Sequence, residues 1–316
     1  MDINTHVVTS IAVLVGMILL AMFLRHRGMF SEKHGPIFSR LVMQVTLPAL
    51  IFSSLARTEL DWSQAYLSLI MFGAEIGCLL LAWLCGRILR LASAQLGVFM
   101  LVAGFGSSSL LGYALISQIF SGNTQALTEA VIISELGVAP ALFTIGVMLA
   151  IYYGSAEVDL RGRLKAASRF FVSPIFFSAL AGLLWSSLHI PTDSLVIETL
   201  LDGFQVVGQA NTFMVALTVG VLLHFQGLRA VLSMALIVGL IKLIVKPVIL
   251  WLPTVGMGLP EWQSQVLILE GAMPSAMLSV VLAQNYGCDA KLASKLVFAT
   301  TVASSVTVLI MFWILT

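Results

Sequence analysis

Apolar runs of about twenty residues, the length needed to cross the hydrocarbon of a bilayer as a helix, recur along the chain. Charged and turn-forming residues bound them near 7–24, 37–55, 64–89, 96–120 and 127–153. After a polar stretch the pattern resumes at 170–189, 195–223, 230–252, 262–286 and 292–315. The pattern predicts an all-α membrane protein of ten transmembrane helices.

Composition agrees. Of 316 residues, 59% are hydrophobic and 10% charged, and mean hydropathy is +1.03. Soluble domains carry about 25% charged residues, so a lipid bilayer is the expected solvent. The net charge of +1 selects no charged partner. No basic patch stands outside the apolar spans, which argues against nucleic acid. Cys78, Cys85 and Cys288 have no disulfide or metal spacing and read as buried or reduced thiols. The opening Met1-Asp2-Ile3-Asn4 lacks the positive start of a cleaved signal, so the first span is expected to be retained.

Charge orients the stack. Arg25, Arg27, Lys33, Arg40, Arg87, Arg90, Arg161, Arg163, Lys165, Arg169, Arg229, Lys291 and Lys295 all fall on one side of a ten-span arrangement. Arg57 stands alone on the other side, and Lys242 and Lys246 lie inside the eighth span. Basic residues mark the cytoplasmic face. The expectation is a multi-pass protein of the cell membrane with both termini outside the cytoplasm and Cys288 in a cytoplasmic loop.

The connection 154–169 is the longest polar segment and divides the chain into five-span halves, 1–153 and 170–316. An odd number of spans per half inverts the second relative to the first. One offset of 165 joins Gly106 to Gly271, Gly122 to Gly287 and Gln44 to Gln209. Inverted repeats accompany alternating access around a midplane site.

Two spans carry residues that interrupt helices. The fourth reads Gly104-Phe105-Gly106-Ser107-Ser108-Ser109-Leu110-Leu111-Gly112-Tyr113, and the ninth reads Glu270-Gly271-Ala272-Met273-Pro274-Ser275 at matching depth. Glycine tolerates open backbone, and proline removes a donor and clashes with the preceding turn. One reading is close packing through small residues. The other is a pair of discontinuous helices whose second halves present N-termini near the midplane. Ser109 and its neighbours would cap one terminus, Pro274 would suit the first turn of the other, and the pair would suit a carboxylate.

At these residues the chain resembles the auxin efflux carrier family of permeases. The resemblance rests on Arg27-Gly28-Met29-Phe30-Ser31, Ser39-Arg40-Leu41-Val42 and Leu47-Pro48-Ala49-Leu50-Ile51-Phe52. It also rests on Gly104 to Leu115, and on Pro274 with Val281-Leu282-Ala283-Gln284-Asn285-Tyr286-Gly287-Cys288-Asp289-Ala290. It implies two inverted five-helix repeats, crossing fourth and ninth helices, a scaffold domain with a homodimer interface, and a small organic anion as substrate. Ser107–Ser109 stand where the family often has Asn-Thr-Gly, and Ser275-Ala276 where an asparagine often follows the second proline.

Ionisable side chains at membrane depth are functional candidates. Glu270 is placed to exchange a coupling proton, or to pair with a lysine. Glu75 and Lys242 occupy nearly symmetric positions and read as coupling residues or as a structural pair. Gln44, Gln209 and Asn211 either bind substrate or join helices. With them, Gly106, Ser107, Ser108, Ser109, Gly112, Tyr113, Gly271, Pro274 and Ser275 complete the candidate binding set. Glu129, near the outer end of the fifth span, reads as solvated, while Glu135 lies deeper. His6, His26, His34, His189 and His224 fall near span ends without metal-ligand spacing, and no Walker, nucleophile-elbow or HExxH pattern occurs. No cofactor, metal or catalytic set is expected. A permease for a small carboxylate leads, uniport or proton-coupled. The alternatives are a sodium-coupled organic anion symporter of the bile-acid-transporter type on the same ten-helix plan, and a membrane receptor that binds without transport.

Overall fold

The computed structural model describes residues 3–57, 65–120, 123–154, 161, 168–188, 194–223 and 231–315. Nearly all of them are helical, because in a bilayer a helix satisfies its own backbone donors and acceptors. We number the helices α1 (Ile3–His26), α2 (Glu32–Arg57), α3 (Ala65–Ile88), α4 (Ser93–Gly104) and α5 (a π-helical start, Ser108–Gly112, continued as Tyr113–Ile119). Then follow α6 (Gln125–Gly154), α7 (Pro174–Ser187), α8 (Leu195–Leu222), α9 (Leu232–Gly256), α10 (Glu261–Ala272), α11 (Leu278–Tyr286) and α12 (Ala290–Leu315). Six of these, α2, α3, α6, α8, α9 and α12, are long and apolar enough to cross a membrane unaided; α4 and α7 are shorter apolar helices.

Local chemistry sets several of the ends. Asn123 accepts from the amides of Gln125 and Ala126 at 3.1 and 3.3 Å, which caps α6. Ser173 and Ser194 cap α7 and α8 in the same way, and Pro174 occupies a first-turn position where no amide is needed. The α11 helix stops at Gly287, whose φ of 84° is a left-handed conformation suited to glycine. The second span begins earlier than its apolar run suggests, at Glu32. The sixth is shorter, with a 3-10 turn over Arg169–Val172 ahead of α7.

α2 packs against α7 and α8, and α8 also lies along α1. Around the broken helices, α3 packs on α4 and on the middle of α6, α9 packs on α10, and α11 packs on α12. The outer surface is apolar: Leu69, Ile88, Leu195, Val255 and Trp313 are each at least 68% exposed, as befits helices solvated by lipid. Arg57, the one basic residue expected opposite the others, bonds to Asp202 and Gln205 on an exposed face. The three cysteines are free thiols, Cys78 and Cys288 buried and Cys85 half-buried. Burial pushes the Cys288 thiol, in the turn between α11 and α12, up to about 12. The connection 154–169 is described only at its ends and at Arg161. Arg163, Lys165, His189, His224 and Arg229 lie outside the described residues.

Candidate functional site

The fourth and ninth spans are each interrupted. α4 ends at Gly104, Phe105 is extended, and α5 begins after Ser107. α10 ends at Ala272, Met273 turns away at ψ 147°, and α11 begins after Met277. The two extended stretches cross and pair antiparallel at Gly106 and Ser275. The Ser107 amide donates to the Pro274 carbonyl at 2.8 Å, and the Ala276 amide donates to the Phe105 carbonyl at 2.9 Å. Each break thereby satisfies backbone groups that the other leaves open, which is what permits non-helical chain at this depth. Pro274 lies within the break rather than in the first turn of α11, contrary to expectation. Among the described side chains none caps α5, and the Ser109 side chain lies outside those described.

Two lysines one turn apart on α9 reach these breaks. Lys242 donates to the Gly271 carbonyl at 3.0 Å, and Lys246 donates to the Gly104 carbonyl at 3.4 Å and forms a buried ion pair with Glu75. Glu75 is thus the partner of Lys246, not of Lys242. Both ammoniums lie at C-terminal helix ends, where the carbonyl dipoles favour positive charge. Gly106 lets Lys242 come close: a Cβ on it would stand 2.8 Å from Lys242 Nζ, and the ammonium would have to shift.

Glu270 is fully buried beside Gly112, where any side chain would overlap its carboxyl. Neither of its oxygens has a hydrogen-bond partner among the described residues. Ser108 faces the carboxyl without reaching bonding geometry, and Lys242, Lys246 and Tyr113 are the other polar neighbours. The Tyr113 hydroxyl donates to Glu135 at 2.9 Å. Glu129, read from sequence as solvated, is buried. Gln263 of α10 donates to it at 3.4 Å, because α10 packs over the start of α6.

On the side of the crossing that faces α2 and α8 lies a cavity of about 110 Å³. Ser107, the N-cap of α5, and Met277, the N-cap of α11, both line it, together with Gly106, Asn211, Thr212 and Phe143. Asn211 of α8 accepts a 3.0 Å bond from Thr46 of α2. The structure therefore gathers Gly106, Ser107 and Asn211 at one cavity, with Ser275 directly behind Gly106. Gly112, Tyr113 and Glu270 are gathered on the buried side. Gln44 and Gln209 do not join them. Gln209 is exposed, and Gln44 lines a separate, larger apolar cavity of about 630 Å³ among Phe52, Trp185 and Phe204. Sequence reasoning missed Thr46, Thr212 and Phe143, ordinary residues brought in by packing alone.

Apolar helices with an apolar outer surface, interrupted where they cross beside a cavity, are those of a multi-pass membrane protein of the transporter class. The chain belongs to the family described as membrane transport protein, which matches residues 6–312 and is the auxin efflux carrier-like family its motifs resemble. It is 27% identical over 305 residues to an uncharacterized transporter of Methanothermobacter thermautotrophicus, covering 96% of this chain and 95% of that one. It is 25% identical over 308 residues to an uncharacterized transporter of Methanocaldococcus jannaschii, with 95% and 96% covered. An uncharacterized transporter of Escherichia coli is 24% identical over 276 residues, with 86% of each chain covered. The family is one of transporters, not enzymes.

Proposed function

We propose that this chain is a secondary transporter that moves a small organic anion, a carboxylate, by alternating access at the crossing of its broken helices. One observation carries the reading: the N-caps of both second half-helices line the same cavity. Helix N-termini present amides and about half a positive charge each, a ready site for an anion. Asn211 and Thr212 supply further polar groups from the facing helix.

The ten-span inverted repeat fits the helix boundaries. α4 and α10 are both 12 residues long and both their starts and their ends are separated by 168 positions, while the bonded pair Thr46 and Asn211 is separated by 165. The offset of 165 thus describes α2 and α8, and three extra residues have entered before the second break. Counting α4 with α5 and α10 with α11 as single spans gives ten.

The sodium-coupled alternative has less support, because carbonyls at half-helix C-termini, which coordinate sodium in ion-coupled carriers, here face the ammoniums of Lys242 and Lys246. Glu270 is the proposed proton-exchanging group. The test is uptake of a panel of labelled carboxylates into proteoliposomes, with and without imposed proton and sodium gradients. Saturable uptake of at least one carboxylate is expected; binding without uptake would favour a receptor, and neither would end the proposal.

A further inference from the structure

The cavity at the crossing is asymmetric in chemistry, and we infer that it selects monocarboxylates with a small apolar body over dicarboxylates, with Asn211 presenting the donor that fixes the carboxylate. This rests on the anion-transport reading above and narrows its substrate class.

Of the residues lining the cavity, only Ser107, Asn211 and Thr212 carry polar side chains, and none is charged. Attraction for an anion comes from the two helix starts at the crossing. The rest of the wall is apolar, with Leu47, Leu50, Leu142, Phe143 and Val215 facing the crossing. One carboxylate held at the helix starts leaves its body against these side chains. A second ionised carboxylate would be buried among them without a cation, and burying an unpaired charge is strongly unfavourable. The buried charges behind the crossing do not alter this. Lys242, Lys246, Glu75 and Glu270 are all buried, and none of the four lines the cavity.

The orientation of Asn211 is set by Thr46. Its Oδ1 accepts the Thr46 hydroxyl, so its Nδ2 is the end left to donate, and the residue is only 9% exposed. An amide turned the other way would offer lone pairs to an anion. Thr46 is therefore a positioning residue for a binding residue. The size agrees: about 110 Å³ is the space of about four waters, enough for a carboxylate on a short aliphatic chain.

The experiment measures thermal stabilisation of the purified full chain, and competition for uptake, by butyrate, isobutyrate, malonate and succinate at pH 7.5, where both dicarboxylates are doubly ionised. Butyrate or isobutyrate is expected to bind at least about tenfold more tightly than either dicarboxylate. Asn211→Asp should abolish that binding, and Thr46→Val should weaken it about fivefold with melting retained, as loss of one orienting hydrogen bond implies. Should Asn211→Asp not fold, Asn211→Ala serves in its place, with a loss of about tenfold expected. Dicarboxylates binding as tightly as the monocarboxylates, or unchanged affinity in both the position 211 and Thr46→Val variants, would overturn the inference while leaving anion transport standing. Failure of every carboxylate to bind or to enter would instead remove the transport reading on which it rests.

Discussion

At the scale of single residues, the buried pair Glu75 and Lys246 is highly sensitive to change. Removing one partner of a buried ion pair strands the other charge and costs about 3–5 kcal/mol. Glu75→Ala and Lys246→Ala should each lower the melting temperature strongly. The double variant should recover much of the loss, and a loss equal to the sum of the two would mean that the pair is not coupled. Glu270→Gln keeps size and hydrogen bonding while removing titration. It should leave substrate binding within about twofold and flatten the pH dependence of uptake; uptake that still follows pH as in the parent would exclude Glu270 as the coupling group. Sequence marked Glu270, Glu75 and both lysines as important because charge is costly at that depth. It offered Lys242 as the partner of Glu75, whereas the ion pair is with Lys246. Lys242 and Lys246 share a helix face, and a π turn over Ile241–Val245 sets where each ammonium points. Gln44 and Glu129 were misplaced for a related reason. Polarity shows that a residue needs a partner or water, but not which neighbouring helix supplies it.

At the scale of elements, the two interruptions were legible because glycine and proline, set at mid-depth in an otherwise apolar span, weaken a helix that lipid would favour. Their register was not. The sequence aligned Gly106 with Gly271, whereas the helices stop at Gly104 and Ala272. A glycine tolerates an ending without specifying one, and the stop is fixed by where the second strand crosses. The π turns at Val42–Thr46, Ser108–Gly112 and Ile133–Val138, which hold Thr46, Ser108 and Glu135, had no signature in the pattern at all. Pro274 gives a test at this scale. Alanine there restores an amide and removes the block to extending helix through the break. Pro274→Ala should reduce transport about tenfold, since roughly 1.4 kcal/mol of bias toward the wrong backbone state suffices, while melting changes little. Unchanged turnover together with unchanged melting would refute this.

At the scale of the whole molecule, the apolar runs and the one-sided basic residues led to a multi-pass membrane protein, and family membership places it among transporters. Orientation carries its own prediction. If the basic loops are cytoplasmic, cysteines introduced at positions 2 and 316 should react with an impermeant maleimide from outside intact cells. The buried Cys288 thiol, held protonated by its high pKa, should contribute little background. Labelling of both ends only after the membrane is opened would reverse the orientation or change the number of spans. The crossing itself has a mechanical consequence. Phe105 with Ala276 and Ser107 with Pro274 are fastened main chain to main chain, so the two broken helices are clasped and must travel together. The amides of Ser107 and Ala276 should therefore exchange with solvent deuterium slowly and in step, and widely different rates would mean the clasp opens. A short crosslink between cysteines at positions 107 and 212, from the clasp to the wall of α8, should arrest uptake until it is cleaved. Because the clasp is made by main chain alone, side chains around it can differ without removing the bonds that hold it.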